Sequence, residues 1–162
     1  MKLPPILPLI ALAASGCSTL NIGAGKKESA PAAVAAPGGE GDIVVGALAE
    51  AALPKGECGM ILWTLDGDKP APILRVIAGK NADMNINGAP VKLAITGAEG
   101  ASGFGVTESQ TLTFEGFTAT VSVRFGLGFD GGSYLERGLV TVESASGWRT
   151  VIPAAGVAGC RS

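Results

Sequence analysis

The side chains best suited to chemistry in this 162-residue chain are three cysteines, Cys17, Cys58 and Cys160, and they stand without a single histidine. That composition excludes a Ser-His-acid or Cys-His nucleophile system and removes the commonest metal ligand. Cys58 and Cys160 bracket one region of the chain. Two isolated cysteines without histidine make a poor zinc site, whereas an even pair in an exported domain reads as a disulfide. Closing a loop of that length stabilises by about 4–5 kcal/mol on the loop-entropy account. Asp66-Gly67-Asp68 lacks the further ligands and closing glutamate of a calcium loop, so it reads as a turn. Gly126-Leu127-Gly128-Phe129-Asp130-Gly131 matches GxGxxG, but a dinucleotide site needs a helix next, and the β-like run Tyr134 to Val140 follows instead. Glu136 and Arg137 are adjacent, so a strand would send them to opposite faces. No carboxylates stand at a spacing that suggests acid–base work. The expectation is a chain that is not an enzyme and holds no cofactor or metal.

The first cysteine belongs to a different context. Met1-Lys2 is a short basic start, and Leu3 to Ala14 is apolar, broken by Pro4, Pro5 and Pro8. Such a run is too short to span a bilayer and has the form of a signal peptide. Ala14-Ser15-Gly16-Cys17 resembles a bacterial lipobox. That resemblance implies a signal over residues 1–16, removed before a lipidated Cys17. Ser18 rather than aspartate follows, which resembles the sorting pattern of outer-membrane lipoproteins. The expected location is thus the periplasmic side of the outer membrane, held through an N-terminal lipid anchor; acyl chains contribute about 0.8 kcal/mol per buried CH₂. The whole chain has a formal charge of -2, and loss of residues 1–16 takes away Lys2 alone, leaving 11 bases against 14 acids. A nucleic-acid partner would call for a basic face, and none is expected.

Residues 17–41 are Ala, Gly, Pro, Ser and Lys with few large apolar side chains, the composition of a flexible tether. Residues 42–57 allow a short helix, with Asp42 as N-cap and Pro54 and Gly56 as a stop, although Gly46 and the β-branched Ile43, Val44 and Val45 oppose it.

From residue 58 to 162 the period is two. Phe117, Ala119, Val121, Val123 and Phe125 alternate with Thr118, Thr120, Ser122 and Arg124, and shorter runs at Asp83–Asn87, Val91–Ile95 and Thr111–Glu115 do the same. Cys58–Leu65 reads as the first strand and Trp148–Ile152 as the last clear one, ended by Pro153. Asn87-Gly88 signals a type I′ hairpin; Glu115-Gly116, Asp130-Gly131-Gly132 and Ser146-Gly147 mark further turns, and Gly138 a bulge. The fold class is all-β: seven or eight antiparallel strands in a small barrel, or a sandwich, with the meander favouring the barrel. Trp63 and Trp148 are expected in its core.

Thr96 to Gly105 reads as a long loop of small residues, the kind of segment that carries function on a rigid scaffold. Its Phe104 is either an exposed aromatic or folded back on the barrel end. Around this loop the chain resembles the membrane-bound inhibitors of C-type lysozyme, small lipoproteins with an eight-stranded barrel and a disulfide from an early strand to the C-terminal end. Val91-Lys92-Leu93 leads to Ala101-Ser102-Gly103, and Leu112-Thr113-Phe114-Glu115 follows. Ser102-Gly103 matches the family's binding motif, while Gly105-Val106 replaces its basic–aromatic pair. The resemblance implies a binding loop of Glu99, Ser102, Gly103 and Phe104 directed at a lysozyme cleft. Two functions follow as expectations: an envelope lipoprotein presenting a binding or structural accessory domain to an envelope protein, or a periplasmic inhibitor of C-type lysozyme.

Overall fold

The strand with the cleanest alternation shows how the fold is built. In β7 (Phe117–Phe129), Ala119, Val121 and Val123 are buried while Thr120, Ser122 and Arg124 are exposed. One face must therefore meet a core and the other face water. The computed structural model describes residues 43–162, and they form nine strands. Eight of them, β2 (Cys58–Thr64), β3 (Pro72–Ile77), β4 (Asn81–Ile86), β5 (Ala89–Gly103), β6 (Val106–Phe114), β7, β8 (Gly132–Ser144) and β9 (Arg149–Cys160), pair antiparallel with their chain neighbours. β9 pairs back on β2, with Cys58 opposite Cys160, and so closes the ring. The result is an up-and-down barrel rather than a sandwich, with no free edge around the ring.

The interior is apolar. Met60, Leu62, Leu74, Met84, Leu93, Leu112, Val121 and Val140 are fully buried. Space for them comes from β9, whose inward positions are Ala154, Gly156 and Ala158. A Cβ on Gly156 would sit 2.1 Å from the Ile61 carbonyl and 2.6 Å from Leu62 Cδ2, so only glycine lets β2 and its leucine lie this close. An apolar lumen with threonine, serine and arginine outside on β7 is the inverse of the distribution in barrels that span a membrane.

Residues 43–57 do not form the expected helix. They make a strap that starts within the barrel wall, where Ile43 joins the core and β1 (Val45–Gly46) pairs with Ile86 and Asn85 of β4, and then runs over outward residues of β3 and β4. The backbone groups that a helix would pair internally are taken by the barrel. Leu48 donates to the Pro72 carbonyl at 2.7 Å, Asn87 donates to Val44 at 2.8 Å, and Asn85 Nδ2 donates to Ala47 at 3.1 Å. The guanidiniums of Arg75 and Arg161 donate to the carbonyls of Ala52 and Leu53. With β-branched residues and Gly46 unfavourable to a helix, these tertiary partners decide the outcome. Beneath the strap Asp83 is buried on an outward position of β4, paired to Arg75 at 2.8 Å and Lys92 at 3.0 Å.

Three further sequence expectations change. β9 does not stop at Pro153 but runs on to Cys160. Pro153 is tolerated because its backbone groups face the β2 side, where its carbonyl accepts from Leu65 just beyond the last residue of β2, so no bond of the β8 ladder needs its missing donor. The segment Thr96–Gly103 is not a loop, because β5 continues through it over two irregularities. Pro72–Ile77, a nearly continuous apolar run, is a strand that alternation alone does not single out.

Candidate functional site

The predicted binding segment is the upper half of the β5–β6 hairpin. Glu99 faces Ser109, Ser102 faces Thr107, and Gly103 faces Val106. The connection is only Phe104-Gly105, both with positive φ (55° and 74°), the pattern of a type I′ turn. Phe104 is partly buried and packs against the core, and a Cβ on Gly105 would meet Ala78 Cβ of the β3–β4 turn at 2.5 Å. The hairpin tip therefore leans over the end of the barrel and covers it. Glu99 and Ser102 are exposed, whereas Phe104 is partly buried and packs against the core.

The other marked residues fall as follows. Cys58 and Cys160 form the disulfide between the first and last strands of the barrel. Cys17 and the expected leader and tether lie outside the described residues. Gly126–Gly131 is the end of β7 and its turn into β8, between two strands. Asp66-Gly67-Asp68 lies in the β2–β3 connection, and no group of three potential metal ligands occurs among the described residues. Trp148 is not a core residue: it is 48% exposed in the β8–β9 turn, and Trp63 sits half-buried on an outward position of β2.

What those two positions announce is a wall that sequence reading missed. On the outer face of β2, β9 and β8, the paired residues Ile61, Val157 and Tyr134 form one row. Trp63 lies beside Ala155, Pro153 lies beside Leu139, and Val151 continues the β9 column. Tyr134, Leu139 and Val151 are 52%, 45% and 48% exposed. Phe129 extends the wall at its upper end, its ring 5.0 Å from that of Tyr134. There the wall opens into a groove of about 580 Å³ between the strap residues Ala52 and Leu53 and the β7–β8 turn.

One charged pair interrupts these rows. At the bulge in β8, Glu136 and Arg137 stand opposite Ala155 of β9, and on the other side Glu136 is in register with Arg124 of β7 and leans over Gly126. Both are exposed, and Arg137 has φ 51°, a left-handed conformation that costs a non-glycine residue about 1–2 kcal/mol. Neither makes an ion pair among the described residues. The signal was present in β9, whose Val151–Ala158 carries no charged or hydrogen-bonding side chain. A run apolar on both faces is the mark of a strand covered on both sides.

No protein family, curated protein or solved structure matches this chain.

Proposed function

We propose that the chain is an envelope lipoprotein, anchored through Cys17, that presents the barrel as a non-enzymatic binding or structural accessory module on the periplasmic side of the outer membrane. The observation that carries the reading is the apolar wall of β2, β9 and β8. A barrel filled by its own side chains offers its outside to partners, and a contiguous apolar patch there marks a contact surface. A photoreactive amino acid at Leu139 in cells should capture a neighbouring protein, while one at Thr120 on the polar outer face of β7 should not. Equal absence of adducts from both positions would reject the wall as a contact surface. The anchor is tested separately: mass spectrometry should find a diacylglyceryl group on Cys17, and an unmodified thiol there would contradict it.

A second reading is supported by the closed eight-stranded barrel, its disulfide between first and last strands, and the exposed Ser102. It is inhibition of C-type lysozyme, with Glu99 and Ser102 rather than Phe104 as the contact. A cell-wall lysis assay with the purified chain should show inhibition that Ser102→Ala weakens. Full lysis at micromolar chain would end this reading without touching the first.

A further inference from the structure

We infer that the partner on the apolar wall is a second copy of this chain, docked wall to wall about a two-fold axis. The inference rests on the wall being a contact surface, and it adds the identity of the occupant. Beside rows made of Ile61, Val157, Tyr134, Leu139, Pro153 and Val151, the bulge in β8 places one acid and one base side by side, Glu136 and Arg137, with Arg124 of β7 opposite the acid on the side away from the rows. Neither has an ionic partner among the described residues.

A two-fold interface is isologous, and with the axis passing between the two side chains each group meets the copy of the other. Glu136 of one chain would then meet Arg137 of the other, and Arg137 would meet Glu136, which neutralises both charges at once. A partner of unrelated sequence would have to supply both signs at the same spacing inside an apolar field. The backbone agrees with this use. Arg137 holds a left-handed conformation, and its neighbour Gly138 admits no side chain, since a Cβ there would lie 2.5 Å from the Ala154 carbonyl. The bulge thus turns two consecutive side chains outward where a regular strand would send one inward. Sheet faces of this kind pack aligned, with apolar rows interdigitating, and the ion pairs fix the register of one copy on the other.

The test co-expresses two copies of the full chain with different tags, one carrying the photoreactive amino acid at Leu139. The expected product is an adduct bearing both tags. Arg137→Glu should lower its yield roughly tenfold by setting acids against acids, and the exchange Glu136→Arg with Arg137→Glu should restore it. Circular dichroism melts show that each variant is folded. An adduct bearing one tag and another protein overturns the second copy while leaving the wall as a contact surface. No adduct overturns both. A two-tag adduct indifferent to Arg137→Glu overturns the reciprocal pairing on which the inference stands.

Discussion

Two sides of the same barrel are finished in opposite ways. On β3 and β4 the outer face carries Arg75, Asp83 and Asn85, and the chain covers it with its own residues 43–57. On β2, β9 and β8 the outer face carries Ile61, Trp63, Val157, Leu139 and Val151, and the described chain lies over it only at one end, where Leu53 packs on Gly59. Intuition would put the cover on the apolar side. The difference separates folding from association. A covered wall inside one chain needs partners for the strap's backbone groups, and polar side chains provide them. An apolar wall needs only surface, which a separate molecule can bring.

Substitutions in the two walls and in the seam between them should have effects that fall in a definite order. The disulfide lies at the β2–β9 seam and closes the ring to which both walls belong. Replacing Cys58 and Cys160 together by alanine should lower unfolding free energy by about 4 kcal/mol, read by urea denaturation. Asp83→Ala strikes the covered wall alone. It strands Arg75 beneath the strap, whose side chain is 16% exposed, and should cost about 3 kcal/mol in the same measurement. On the bare wall the sign reverses: Arg137→Gly removes the strain of a left-handed arginine and should raise stability by about 1 kcal/mol while weakening docking. Leu139→Ser with Val151→Ser should change the stability of the isolated chain by less than about 0.5 kcal/mol each, because both side chains are already half in water. The same pair should nevertheless abolish capture from a neighbouring wall position such as Tyr134. A loss of several kcal/mol would mean that the wall supports the fold itself.

Much of the barrel was legible because antiparallel strands with one wet face declare themselves by alternation, as in Ala119–Arg124. Asn87-Gly88 announced its hairpin, and both residues have positive φ as that turn requires. The disulfide followed from the two cysteines left after Cys17. What failed did so for identifiable reasons. Glycine and alanine at Thr96–Gly103 look like a loop, yet long hairpins tolerate small residues once the partner strand supplies the ladder. Proline at position 153 looks like a stop, but its missing donor faces the side where β2 has just ended, so the β8 ladder loses no bond. The strap looked helical because capping and stop residues are local, while the bonds from Arg75, Asn85 and Asn87 that hold it straight come from distant strands. The wall was hidden by the same truncation of β9: only the full run to Ala158 reveals a strand apolar on both faces.

The claim that the bare wall is covered in the working protein is the one on which the rest depends. Hydroxyl-radical footprinting measures it directly, comparing side-chain oxidation in cells with that in dilute purified chain. Tyr134 and Leu139 should be protected in cells several-fold relative to the dilute chain, while exposed side chains off the wall, such as Leu127, oxidise equally in both. Equal oxidation of Tyr134 and Leu139 in the two conditions would contradict the account.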